Sequence, residues 1–185
     1  MKYYRNITAL ILCLLLAVPL SIPAMASAGT ELEAVCAELE YIPEPVLQSF
    51  EERGWSLRMD PEYLARLSRE YGYTCVAATS YKDKTIYLSS ADSLVHEFGH
   101  FLHYTLDFDK ATETLFQKEA READFLRAYA RRNFREYFAD CFAYWVENRE
   151  DSAALALMWE QVPETCQYFM ELEYGEWELP LEQIE

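Results

Sequence analysis

Residues 94–104 read Leu-Val-His-Glu-Phe-Gly-His-Phe-Leu-His-Tyr and hold all three histidines of the chain, His96, His100 and His103. His96-Glu97-Phe98-Gly99-His100 fits the pattern His-Glu-x-x-His. On a helix, positions i and i+4 stand one turn apart on the same face. Two imidazoles placed there can converge on one ion, with Zn–N distances of about 2.0–2.1 Å. Glu97 lies one step round the helix, beside the ion and outside its ligand shell. A carboxylate in that position can take a proton from a water that zinc acidifies toward a pKa of about 7. It can then hand the proton to a leaving amine. The chemistry these residues suggest is metal-assisted hydrolysis of an amide.

A third ligand is needed, and its place decides the subclass. A metzincin pattern requires glycine at 103 and histidine at 106, where this chain has His103 and Leu106. His103 itself lies about 10.5 Å along the helix axis from His96, at about 1.5 Å per residue, and points past the ion. It reads as a core, surface or outer-shell histidine. A carboxylate from a later helix is therefore expected. The segment 133–145 is Asn-Phe-Arg-Glu-Tyr-Phe-Ala-Asp-Cys-Phe-Ala-Tyr-Trp. Glu136 and Asp140 are i and i+4, beside an apolar side made by Phe138, Phe142 and Trp145. A polar pair in that setting is costly unless it is used. We assign Glu136 as the third metal ligand and Asp140 as acceptor for the distal N–H of a ligand histidine. Asn133 with Glu136 three residues later also fits a capping box, which is a rival use of Glu136. Glu119 and Glu122 are further acids, on a stretch that reads as a charged, solvated face.

The elements that must position these groups can be read from pattern and punctuation. Residues 31–40 form an acidic amphipathic helical stretch. A short helix over 43–53 opens with proline and closes at Gly54. Residues 55–59 alternate as a strand. Asp60-Pro61 caps a helix that Gly72 stops after Tyr71. Residues 73–81 and 85–89 read as a hairpin turned by Lys82-Asp83-Lys84. Ser90, Asp92 or Ser93 can cap the helix that carries the histidines. From there helices are expected over 93–106, 112–130, 134–148, 152–160 and 164–174, with a tail that packs through Trp177 and Leu179. Leu94, Val95, Phe98, Phe101 and Leu102 make the histidine helix apolar elsewhere. Gly99 costs about 1 kcal/mol of helix propensity, so a backbone or a substrate is expected to approach it closely. The layout is α+β: a small mixed or antiparallel sheet followed by a mainly helical half.

Composition bounds the rest. Lys2 and Arg5, the apolar run Ile7–Leu20 and the small residues that follow match a secretory signal peptide over 1–28, cut after Ala26 or Ala28. The run is shorter than the roughly 20 residues of a membrane span. A single domain is expected over 29–185. The whole chain carries a net charge of −16, and removal of the two bases of the leader takes it to about −18. That balance argues against nucleic acid as a partner, because phosphates need a basic footprint. Cys36, Cys75, Cys141 and Cys166 remain after the leader, with no C-x-x-C spacing; their pairing stays open.

Three features together resemble the zinc peptidase domain shared by anthrax lethal factor and the clostridial Pro-Pro endopeptidases. They are His-Glu-Phe-Gly-His at 96–100, Glu-Tyr-Phe-Ala-Asp-Cys-Phe at 136–142, and Tyr129 seven residues before Glu136. The hairpin stretch 81–90 is also similar. The resemblance implies a zincin, gluzincin-like fold. It implies one zinc ion held by His96, His100 and Glu136, Glu97 as general base, and Asp140 in the outer shell. It also gives Tyr129, otherwise one of fourteen tyrosines, the role of donor to the developing oxyanion. Two departures stand out: Asp140 where the family has Glu, and His103 where members often have Asp. The resemblance further implies an extended peptide lying antiparallel to an edge strand, for which residues 76–79 are the candidate.

The expected function is thus that of a secreted, monomeric zinc endopeptidase acting on proteins or peptides, without nucleic acid and without stable membrane association after signal removal. An alternative is a zinc-holding module that binds a peptide or a metal without turnover. A third reading is a metal-dependent hydrolase of a non-peptide amide, such as one in a cell wall.

Overall fold

The computed structural model describes residues 22–180. Most of the expected leader therefore lies outside the described residues. The described residues form two compact units that divide between Glu97 and Phe98, a boundary inside the histidine helix.

The first unit begins with helix α1 (Ile22–Leu39), which starts earlier than the 31–40 expected, and α2 (Glu44–Glu52). Gly54, at φ 72°, lets the chain reverse after α2 into strand β1 (Ser56–Met59). Helix α3 (Pro61–Tyr71) begins where expected: the Tyr63 N–H donates to the Asp60 carboxylate at 2.8 Å. It ends at Gly72, whose φ of 76° is the left-handed conformation of a helix stop. Strands β2 (Ala77–Ser80) and β3 (Thr85–Leu88) form the antiparallel hairpin. Strand β1 pairs in parallel with β3, so the sheet is mixed, with order β1-β3-β2. The β2 strand, shorter than the 73–81 expected, stands at an edge. The core here is apolar by pattern: Val46, Leu47 and Phe50 from α2, Leu57, Leu64, Ile86 and Leu88 are all buried.

A single turn of 3-10 helix at Ala91–Ser93 leads into α4 (Leu94–Leu106). Its apolar face behaves as the sequence implies, with Leu94, Val95, Phe98, Phe101 and Leu102 at most 1% exposed.

The second unit is helical: α5 (Lys110–Glu119), α6 (Phe134–Glu147), α7 (Ser152–Gln161) and α8 (Pro163–Tyr174). Among the described residues the chain has eight helices and three strands, the expected α+β class. Side-chain caps open three of these helices: Asp109 for α5, Asn133 for α6 and Asp151 for α7. The core is aromatic. Phe138 and Phe142 pack with Phe169 of α8, Phe116 packs on Phe138, and Trp177 of the tail is buried against Phe142 and Phe169.

One expected helix is corrected. Residues 112–130 read as continuous because they are rich in Ala, Glu, Lys and Arg, all good helix formers. Instead α5 stops at Glu119, and only 128–132 regain 3-10 turns. Long-range contacts outweigh local propensity here. The Asp124 N–H donates to the Gln161 side chain at 2.8 Å. Glu119 is 7% exposed, not on a solvated face. Its carboxylate accepts the Glu164 and Thr165 N–H groups at 3.0 and 2.9 Å and the Thr165 hydroxyl at 2.5 Å. It therefore caps α8 from another helix, satisfying donors that Pro163 and its neighbours leave open.

The close approach expected at Gly99 is to backbone. A Cβ there would lie 2.6 Å from Ala139 Cα and 2.9 Å from the Ala139 carbonyl oxygen. Helices α4 and α6 therefore touch main chain to main chain. Gly99→Ala is expected to destabilise the fold by about 1–3 kcal/mol, despite alanine's better helix propensity, as read from the midpoint of urea unfolding.

Candidate metal centre

Helix α4 delivers His96, Glu97 and His100 within one turn, and their ligand-capable atoms lie within 4.8 Å of one another. Glu97 is 6% exposed and His100 9%. Two imidazoles and a carboxylate in that spacing form a group that can hold a metal ion. The donor set is nitrogen and oxygen, which suits zinc and other first-row divalent ions.

Glu97 does not float in its pocket. The hydroxyl of Thr79, on β2, donates to Glu97 Oε2 at 2.5 Å and lies 3.4 Å from the Glu97 carbonyl oxygen. Nothing in the sequence pattern pointed to this contact, because Thr79 is an ordinary strand residue until the sheet and α4 are folded together.

The second unit brings Glu136 to His100. Glu136 sits in the first turn of α6, and its Oε2 is 3.3 Å from His100 Nε2. Its side chain is only 17% exposed. Asn133 caps α6, as its half of the capping box requires. Its side-chain oxygen accepts from the N–H groups of Arg135 and Glu136 at 2.9 and 3.1 Å. The Glu136 carboxylate is then placed toward His100 by a helix whose start is fixed.

Asp140, one turn further on α6, is 5% exposed and is gripped by Arg127. Arg127 Nε donates to Oδ2 at 3.1 Å and Nη2 donates to Oδ1, a two-pronged pair. Sequence reading assigned Asp140 to a histidine and missed Arg127 altogether. Tyr129, in the 3-10 segment before α6, is 40% exposed and is flanked by the guanidinium groups of Arg127 and Arg132, 5.7 and 5.2 Å from its ring centroid.

His103 is half-buried among aromatic side chains. Its ring contacts those of Phe108, Phe134 and Phe138. Burial, helped by the charge of Arg135, lowers its pKa to about 4, so the ring stays neutral at ordinary pH. Cys36, Cys75, Cys141 and Cys166 stand as thiols, and burial pushes the Cys141 thiol well up. Among the described residues no helix is long and apolar enough to cross a membrane.

No family model and no curated protein matches the chain. A solved structure does. The chain superposes on the Pro-Pro endopeptidase from Paenibacillus alvei with a TM-score of 0.56, over 78% of this chain and 90% of that one, at 17% identity. The two share a fold.

Proposed function

We propose that the chain is a zinc-dependent endopeptidase, exported by way of residues 1–28 and acting as a monomer on protein or peptide substrates. The observation that carries this reading is the His-Glu-x-x-His turn on α4, with the Glu136 carboxylate 3.3 Å from His100. The fold shared with a Pro-Pro endopeptidase supports it. The three motifs at 96–100, 129 and 136–142 extend the likeness to the lethal-factor group.

In this reading His96, His100 and Glu136 hold the zinc. The ion supplies Lewis acidity, which polarises a carbonyl and eases deprotonation of water. Glu97 accepts that proton as general base and passes it to the nitrogen of the leaving strand. Its burial keeps bulk water from competing for the carboxylate. Tyr129 donates its phenolic proton to the carbonyl oxygen as that atom gains negative charge; loss of such a donor costs roughly 10²–10³ in kcat. Its partial exposure leaves it open to a substrate. Asp140, held by Arg127, stands in the outer shell as acceptor for the distal N–H of a ligand histidine. An extended peptide adds to the free edge of β2 through main-chain hydrogen bonds.

The test is incubation with an unbiased peptide library, with and without a chelator. Internal cleavage that stops on chelation and returns with zinc is the expected result. A zinc-loaded chain that cleaves no member of the library would instead favour the peptide-binding module without turnover.

A further inference from the structure

Thr79 is the third residue of β2, the edge strand expected to receive substrate, and it pairs with Ile86 of β3. Its hydroxyl approaches Glu97 Oε2 at 2.5 Å. An ionised carboxylate only accepts hydrogen bonds, so the hydroxyl must be the donor. A bond of that length between a hydroxyl and a carboxylate belongs to the short, charge-assisted class. Glu97 is nearly closed to solvent, so water does not replace this contact easily. One carboxylate oxygen is thereby tied to the sheet and the other is left to handle a proton. A glutamate side chain has several rotatable bonds, and this tie removes the swing of its terminal group.

We infer that Thr79 is a positioning residue for Glu97, aligning the carboxylate for proton transfer from a strand of the sheet. The inference rests on the reading of Glu97 as general base. A purely structural alternative is that the same hydroxyl only clips β2 to α4, aided by its second contact, 3.4 Å from the Glu97 carbonyl oxygen.

Three variants separate these uses in the full chain. Thr79→Val keeps the shape of the side chain and removes the donor; Thr79→Ser keeps the donor and removes a methyl group. Thr79→Val is expected to lower kcat about tenfold to a hundredfold, a part of the roughly 10²–10⁴ that a positioned base contributes. KM and zinc content should be unchanged, and the thermal midpoint should fall only by the few degrees that loss of one buried hydrogen bond implies. Thr79→Ser should restore most of the rate. Adding Thr79→Val to Glu97→Gln should cost nothing further, because the group it positions is gone. The inference is overturned if Thr79→Val turns over at the rate of an active wild type. It is equally overturned if Thr79→Val loses rate only together with thermal stability and Thr79→Ser does not rescue it. A wild-type chain that cleaves nothing would defeat the reading of Glu97 as base instead. A crystal structure of Thr79→Val then decides the positioning separately: a displaced Glu97 carboxylate upholds it, and an unmoved one overturns it.

Discussion

Glu97→Gln is expected to lower kcat by roughly 10²–10⁴ while leaving zinc content, KM and fold intact. The amide has nearly the shape of the carboxylate and can still accept the Thr79 hydroxyl through its carbonyl oxygen. It has almost no basicity, so it cannot take a proton from water. The fold should not suffer. Glu97 is 6% exposed, and a neutral amide is less costly to bury than an ionised acid. Glutamate and glutamine also have similar helix propensities. The check is steady-state kinetics on a cleaved library peptide, alongside metal content and a thermal melt. Loss of rate with zinc retained assigns Glu97 to the chemistry. A variant as fast as the wild type would place the base elsewhere.

Glu136→Ala is expected to remove zinc while leaving α6 in place. The helix start depends on Asn133, whose side chain accepts from the N–H groups of residues 135 and 136. Those donors belong to the backbone and survive the substitution, and alanine favours a helix. What disappears is the carboxylate beside His100. Loss of an outer-shell partner alone costs about 10–100-fold in metal affinity, and loss of a direct ligand should exceed that. Cleavage should fall in parallel and recover in part at high zinc concentration. Titration with a competing chelator measures the affinity. A Glu136→Ala chain that binds zinc as tightly as the wild type would exclude Glu136 as a ligand.

Much of this arrangement was legible because it is local. His96, Glu97 and His100 lie within one turn, so helical spacing alone brings them together. Asp60, Gly72 and Asn133 mark helix ends through short-range hydrogen bonds and backbone conformation, and they do so in the structure. Gly99 signalled a close approach, though only folding showed that its neighbour is the backbone of Ala139. The rest depends on contacts between residues far apart in sequence. Thr79 reaches Glu97 across 18 positions and Glu119 reaches Thr165 across 46. Nothing in the composition around either residue reports such a partner. Glu119 was misread for that reason: an acid in a charged stretch looks solvated until another helix places unsatisfied N–H groups beside it. The same contacts ended α5 early, where propensity alone favoured a longer helix. Arg127 was missed because a single arginine in a basic stretch is ordinary. Its value lies in Asp140, thirteen residues on, being buried within its reach.

Zinc bound to the purified chain, measured by elemental mass spectrometry after zinc loading and exhaustive dialysis, tests the central claim most directly. About one zinc ion per folded chain is expected, falling sharply in His96→Ala, His100→Ala and Glu136→Ala. A chain that is folded by circular dichroism and thermal melting yet retains no zinc would contradict it.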